Sequence, residues 1–153
     1  MNSWQTKSLS LEQAMPLIRE RLAQGQSVQF GPKGTSMLPM LRQGIDNVVL
    51  SPLPEKLKKY DLPLYQRDNG QYVLHRILKA GESYTCIGDN QFEYERGVRQ
   101  DQMIALATAF YRDGKLYRVD ALPYRLYCRF WHYTRPLRHI WRRGIGFLRR
   151  CLK

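Results

Sequence analysis

A serine that follows a glycine in a short polar segment is the first candidate for nucleophilic chemistry. The segment Gly34-Thr35-Ser36-Met37 has this form. A serine becomes a nucleophile when a base takes its proton and amide groups receive the negative charge that develops on the substrate oxygen. Glycine lets the backbone turn sharply, which exposes the hydroxyl and aims amides at a carbonyl. An ordinary β-turn serine has the same local sequence, so Ser36 is a candidate only together with a base.

His75 is the candidate base. It lies in Tyr72-Val73-Leu74-His75-Arg76-Ile77, a segment with the composition of a β-strand. Strand alternation places Val73, His75 and Ile77 on one face. Histidine side chains titrate near neutral pH, which suits proton transfer. A core histidine with satisfied hydrogen bonds would show the same pattern. His132 and His139, in a basic and aromatic segment, are predicted to belong to that surface instead.

An acidic side chain that orients the histidine is the third element to look for. Asp89 lies in Gly88-Asp89-Asn90, directly after a predicted strand. It could orient His75, or it could cap a tight turn through its own side chain. Glu93 and Glu95, slightly further along the chain, are rival candidates for the same role.

The elements that must position these side chains are predicted to be mainly β-strands. Leu11, Ala14, Met15, Ile18 and Leu22 recur at helical spacing, which predicts an amphipathic helix over 10–24 with Ser10 as its N-cap and Gly25 as its stop. Turns at Asp68-Asn69-Gly70 and Asp113-Gly114 favour hairpins, and no helices alternate with the strands. The predicted strands are Val28 to Phe30, Asn47 to Leu50, Leu62 to Gln66, Gln71 to Lys79, Ser83 to Ile87, Met103 to Arg112 and Lys115 to Val119.

The positive charge is concentrated at the end of the chain. The formal net charge is +12, and residues 112–153 carry 12 Lys/Arg against 2 Asp/Glu. Residues 122–153 hold nine Lys/Arg, no acid and many aromatic residues, and Pro136 is a plausible helix start. We therefore divide the chain into a domain over 1–121 and a basic, amphipathic helical tail over 122–153. Such a tail is typical of contact with phosphate, on an anionic membrane or on nucleic acid, or it could pack on its own domain.

Three segments together resemble a known family. The first sequence box of signal peptidases, Ser-Met-x-Pro, is similar to Gly34-Thr35-Ser36-Met37-Leu38-Pro39. The family's second box is similar to Val73-Leu74-His75-Arg76-Ile77, and its third box, Gly-Asp-Asn, is similar to Gly88-Asp89-Asn90. They occur in the family's order between about Val28 and Phe110. His-Arg in the second box resembles the endoplasmic-reticulum and archaeal type, whereas bacterial signal peptidases have Lys-Arg. The usual transmembrane anchor has no counterpart among the apolar segments of the sequence.

The resemblance implies a β-fold of the signal-peptidase/LexA superfamily that binds a peptide in extended form as an added strand. It implies a serine endopeptidase that processes leader- or signal-like peptides, with Ser36 as nucleophile and His75 as general base. We expect Asp89 to be the third member and Glu95 to be the alternative. Gly34 stands where many signal peptidases have a serine, so the oxyanion hole is expected to consist of backbone amides in Gly34, Thr35, Ser36 and Met37. This chemistry calls for neither a metal nor a cofactor.

Two other functions remain open at this level. One is a LexA-like regulator that binds DNA, although the roughly 27 residues before the strands have room for only one helix, which makes DNA the less favoured partner. The other is a catalytically inactive peptide-binding module of the same fold. The three separated cysteines and the absence of an apolar leader favour a cytoplasmic protein, and the tail favours a peripheral position at the inner face of the membrane.

Overall fold

A computed structural model describes residues 10–151 of the chain, with side chains described up to residue 145. The order of elements is one helix, seven strands, a short 3-10 turn at Gln100–Gln102, two further strands and two helices. Their bounds are α1 Leu11–Ala23, β1 Val28–Phe30, β2 Asn47–Ser51, β3 Pro63–Gln66, β4 Tyr72–Leu74, β5 Arg76–Lys79, β6 Tyr84–Ile87, β7 Glu95–Val98, β8 Met103–Arg112, β9 Lys115–Arg118, α2 Leu122–Tyr133 and α3 Arg135–Cys151.

The strands form two antiparallel sheets. The larger sheet has the order β1-β2-β8-β3-β4, with β9 also paired to β8, and the smaller sheet has the order β5-β6-β7. The ten-residue strand β8 pairs with β2, β3 and β9 and so forms the centre of the larger sheet. The hairpin turns expected from sequence are present, with positive φ at Gly70, Asp113 and Gly114.

The chain passes from one sheet to the other at His75. Sequence predicted a single strand over 71–79, but β4 ends at Leu74 in the larger sheet and β5 begins at Arg76 in the smaller one. Val73, His75 and Ile77 are buried, but so are Leu74 and Arg76 between them, so burial does not alternate along this segment. His75 therefore lies at the junction of the two sheets, where its backbone is fixed from both sides.

Helix α1 covers one side of the core and confirms the prediction for residues 10–24. The Ser10 side chain accepts a hydrogen bond from the Gln13 amide at 3.2 Å, and the Gln13 side chain accepts from the Ser10 amide at 3.0 Å. This capping box satisfies two amides that the first turn leaves free. Gly25 ends the helix with a φ of +75°. Met15, Ile18 and Leu22 are buried against the larger sheet's core.

The tail consists of two helices rather than the single helix expected to begin near Pro136. Helix α2 occupies the segment before this proline, and Cys128 on it is 1% exposed. About 30% of the residues are in strands and 29% in helices, so the fold is mixed α/β, whereas sequence predicted a mainly β fold. The helical tail was part of the prediction, and α2 adds 12 residues to the helix expected from Pro136.

Candidate active site

The loop that carries Ser36 is shaped by a glycine and a nearby side chain. Gly34 has a φ of +91°, a conformation that L side chains rarely adopt. The Gly34 amide donates to Gln43 Oε1 at 2.8 Å, and the Leu38 amide donates to the Thr35 carbonyl at 3.2 Å. The loop is thus a closed turn, and it leaves Ser36 partly exposed.

The Gly88-Asp89-Asn90 turn holds this loop from behind. The Asn90 amide donates to the Ser36 carbonyl at 2.8 Å, and Asn90 Nδ2 donates to the Thr35 carbonyl at 3.0 Å. A Cβ atom at Gly88 would lie 2.6 Å from the Ser36 carbonyl oxygen, closer than real Cβ atoms come. Glycine is therefore required at position 88 because the two backbones approach so closely.

Ser36 and His75 line the same cavity, which has a volume of ≈ 290 Å³. The nucleophile-loop residues Gly34, Thr35, Ser36 and Met37 form one wall. The opposite part includes Gln71 and the β4 residues before His75. Two cationic side chains, Lys33 and Arg67, also line the cavity, and sequence analysis did not single out either of them.

The His75 imidazole is oriented by Glu95. His75 Nδ1 lies 2.8 Å from Glu95 Oε1, and the Tyr65 hydroxyl lies 3.4 Å from the same nitrogen. The ring is 2% exposed. His75 Nε2 makes no hydrogen bond with any residue in the described part of the chain. With Nδ1 committed to the carboxylate, Nε2 is the nitrogen available to a group in the cavity.

Arg67 fixes Glu95 in this position. Its guanidinium binds both carboxylate oxygens, with Arg67 Nε 2.8 Å from Glu95 Oε2 and an Nη atom on Oε1. Partial burial by itself raises the pKa of the Glu95 carboxyl, but hydrogen bonds from Arg67 and His75 outweigh it and hold the pKa well below its ordinary range. Glu95 is therefore a carboxylate at neutral pH, able to stabilise a positive charge on the imidazole.

Asp89, the acid preferred from sequence, binds other groups. Its carboxylate accepts hydrogen bonds from Arg76 Nε and Arg76 Nη2, each at 2.8 Å. It also accepts one from the Tyr127 hydroxyl at 3.1 Å. Both partners of this ion pair are buried. Burial by itself lowers the pKa of the Arg76 guanidinium, but the paired Asp89 carboxylate raises it. The net change in this pKa is upward, so the guanidinium stays charged. Glu93, the other rival, is exposed and lines a different cavity from Ser36.

The amides of the loop are available to receive negative charge. Within residues 10–151, the Ser36 and Met37 amides donate to no acceptor, whereas those of Gly34 and Leu38 are occupied. A partly exposed hydroxyl, an imidazole nitrogen and free amides at one cavity are the groups that acyl transfer requires. The Ser36 hydroxyl and His75 are not hydrogen-bonded to each other in this structure.

The remaining histidines lie on the tail, as sequence predicted. His132 Nδ1 contacts the Tyr60 hydroxyl at 3.0 Å, and the His139 ring stacks on Phe92. Burial lowers the pKa of His132, and the nearby Lys59 adds to this effect. Neither histidine shares the cavity of Ser36.

Comparison of the chain with protein-family models, with curated proteins and with solved structures finds no match. Across the described residues, no three or more His, Cys, Asp or Glu side chains are grouped as a metal site would need. None of the helices between residues 10 and 151 combines the length and apolarity needed to cross a bilayer. Inference about function therefore depends on the site itself and on the motifs.

Proposed function

We propose that the chain is a serine endopeptidase of the signal-peptidase/LexA-like type, with Ser36 as nucleophile, His75 as general base and Glu95 as the orienting acid. The observation that carries the proposal is that Ser36 and His75 line one cavity while His75 Nδ1 is paired with Glu95. A carboxylate paired with an imidazole at the cavity of a serine supports a serine–histidine–acid triad, a kind of site that is recognised by geometry rather than by position in the sequence. The order of the three sequence motifs supports it independently.

The reaction follows from the roles of these atoms. His75 Nε2 takes the Ser36 proton as Oγ attacks the peptide carbonyl carbon, and the Ser36 and Met37 amides bind the oxyanion. The imidazolium, stabilised by Glu95, then gives the proton to the leaving amine as the C–N bond breaks. A water molecule, deprotonated by the same nitrogen, attacks the acyl-enzyme. The acid product leaves and the serine regains its proton.

The substrate is proposed to bind in extended form along β4. This strand ends the order of the larger sheet, so among the described strands only β3 pairs with it. Its residues from Tyr72 to Leu74 line the cavity that holds Ser36. An exposed strand edge binds an extended peptide through main-chain hydrogen bonds. Binding there would bring the scissile carbonyl between the loop and the imidazole and would close the gap between Ser36 and His75, as catalytic contacts often tighten with substrate.

The proposal is tested with a serine-reactive fluorophosphonate probe. We expect one probe per chain on the wild type, attached to the peptide that contains Ser36, and no label on Ser36→Ala. Ser83→Ala, at an exposed serine in a turn away from the cavity, is the matched control and should label like wild type. Label that persists on a folded Ser36→Ala protein, or a wild type that never labels, would refute the catalytic assignment. The second outcome would favour an inactive peptide-binding module.

A further inference from the structure

Each of the two tail helices exposes a row of large apolar side chains, and we name these residues together the apolar stripe. The α2 members are between 56% and 70% exposed, and the α3 members between 37% and 71%. Large apolar side chains at this exposure are unusual when they are grouped on one surface. The members of the apolar stripe are Leu122, Leu126, Phe130 and Tyr133 on α2 and Leu137, Ile140, Trp141 and Ile145 on α3.

On α2 the apolar stripe and the packed face lie on opposite sides. At about 100° per residue, its four α2 members fall within an arc of about 80°. The buried Cys128 and the aromatic residues Tyr124, Tyr127 and Trp131 fall on the far side and contact the domain. Helix α2 is therefore already fixed to the domain by one face, and the apolar stripe is not needed for that packing.

The surroundings of the apolar stripe are strongly basic. Residues 122–153 carry nine Lys/Arg and no acidic residue. On α2, Arg125 and Arg129 fall along one border of the stripe, about 20–60° from Leu122. As far as side chains are described, the tail arginines form no ion pair with a carboxylate, since every ion pair there involves residues before 122. Arg135 is buried and lies near Asp89, but Arg125 and Arg129 on the border of the stripe are free of any such carboxylate among the described side chains.

We propose that the apolar stripe docks in the headgroup region of an anionic lipid membrane, with α2 and α3 lying along its surface. An apolar helix face bordered by arginines, with aromatic residues among its members, is the pattern of an interfacial helix. A second copy of the chain fits less well, because dimerisation through this face would bring two basic tails together. DNA would pair with the arginines but would leave the apolar side chains in water.

Docking in this way places the membrane beside the proposed catalytic loop. Trp141 belongs to the apolar stripe and also lines a cavity of ≈ 310 Å³ together with Leu38, Pro39 and Asn90. Leu38 and Pro39 follow the Ser36 loop directly, and Asn90 binds it. An extended peptide arriving from the membrane surface would therefore reach the loop over a short path. This last step depends on the proposed function, whereas the docking itself does not.

The test uses the full-length Ser36→Ala protein, so that binding is measured apart from catalysis. It is co-sedimented with vesicles of phosphatidylcholine alone and with vesicles containing about 30% phosphatidylglycerol, where anionic lipid attracts basic segments. We expect binding to the anionic vesicles only, weakened when salt is raised from about 0.05 M to about 0.5 M. Tryptophan emission should shift to the blue on binding, and Trp141→Tyr should remove most of that shift.

Two matched variants decide whether the apolar stripe is responsible. Leu126→Glu, on the stripe, and Leu17→Glu, on α1, change leucines that are 56% and 55% exposed and alter the net charge equally. Leu126→Glu should weaken vesicle binding at least about tenfold, while Leu17→Glu keeps it within about twofold. Equal effects of the two variants, or wild-type binding to DNA but not to anionic vesicles, would overturn the docking proposal. In the protein that retains Ser36, absence of vesicle binding together with intact probe labelling would overturn the docking proposal and leave the peptidase proposal standing.

Discussion

Two substitutions that each remove one negative charge, Asp89→Asn and Glu95→Gln, should affect different properties of the protein. Asp89 is the counter-ion of the buried Arg76, whereas Glu95 contacts His75 at the cavity. We expect Asp89→Asn to lower stability strongly and activity little at temperatures where the protein stays folded. Glu95→Gln should do the reverse.

The expected sizes follow from the burial of each group. Removing one partner of a buried ion pair leaves a charge without compensation and costs about 3–5 kcal/mol of unfolding free energy. For a chain of this length that corresponds to a fall in Tm of about 6–20 °C. The Glu95 side chain is 23% exposed, so water screens its pairs with Arg67 and His75 in part, and Glu95→Gln should cost less than Asp89→Asn, about 1–2 kcal/mol. Its effect on kcat should reach about 10²–10⁴-fold, because a neutral amide stabilises the imidazolium poorly and Arg67 competes for its carbonyl oxygen.

The Tm of each variant is measured by thermal unfolding. Activity is then measured at about 15 °C below that Tm, either as cleavage of a pool of unstructured peptides or as the rate of probe labelling. Labelling is informative even where no good peptide substrate has been found. The assignment of Glu95 would be refuted by the opposite ranking, in which a stable Asp89→Asn protein is inactive and Glu95→Gln retains wild-type kcat. Small effects of both variants on kcat would indicate a serine–histidine dyad without an acidic partner.

Three further outcomes follow from the same contacts. Gly88→Ala places a methyl group 2.6 Å from the Ser36 carbonyl oxygen, so it should lower the free energy of unfolding by about 1–3 kcal/mol and reduce kcat/KM strongly. The control is Gly81→Ala, whose methyl group would have its nearest neighbour at 3.9 Å. Equal effects of the two variants would contradict the close approach at Gly88. His75→Ala should lower kcat/KM by about two orders of magnitude or more, because no imidazole then takes the Ser36 proton; full activity in a folded His75→Ala protein would indicate another base, such as Lys33 at the same cavity. Because the pKa of Glu95 is lowered in the folded state, its stabilising effect is present above the ordinary carboxyl pKa of about 4.3 and is lost as pH falls below it. Urea unfolding between about pH 3 and pH 7 should therefore show a weaker acid dependence in Glu95→Gln than in wild type, and an unchanged dependence would be evidence against this pKa shift.

Local signals predicted those parts of the fold that depend on neighbouring residues in sequence. The α1 helix, its Ser10 cap and the glycine-containing hairpins have short-range causes, and the structure confirms them. The strand over 71–79 was predicted as one element because β-strand-forming residues occur on both sides of His75, with no glycine or proline between them. The break at His75 arises from a change of sheet, which no short window of sequence reports.

The choice of acid could not be made from sequence because it depends on which base pairs with which carboxylate in three dimensions. Asp89 and Glu95 lie at similar distances along the chain from His75. Burial of Arg76 next to Asp89 commits that carboxylate to the guanidinium. Glu95 reaches His75 from β7, a strand that the sequence Glu95–Val98 hardly indicates, since glutamate and glycine are poor strand formers. Arg67, which fixes Glu95, is 28 residues away and carries no local motif.

Composition alone also could not divide the tail's aromatic residues between the domain and the surface. Sequence left open whether the tail packs on the domain or faces a partner, and the structure shows that it offers both kinds of face. Tyr124 and Tyr127 contact Arg76 and Asp89, while Phe130 and Trp141 are exposed. The difference depends on which face of each helix is turned towards the domain. The sequence alone does not determine this orientation.

The tail is joined to the proposed catalytic loop through one turn. Trp131 Nε1 donates to the Asp89 carbonyl at 2.7 Å, and Arg142 contacts the Asn90 carbonyl at 3.3 Å. Asn90 in turn binds the backbone of the Ser36 loop. On α2 these contacts use the inner face and the apolar stripe uses the outer one, whereas on α3 Trp141 of the stripe also lines the cavity beside Leu38 and Asn90. Substitutions on the outer face of α2 can therefore alter membrane docking while the turn and the loop keep their geometry, whereas deletion of the whole tail would remove both at once.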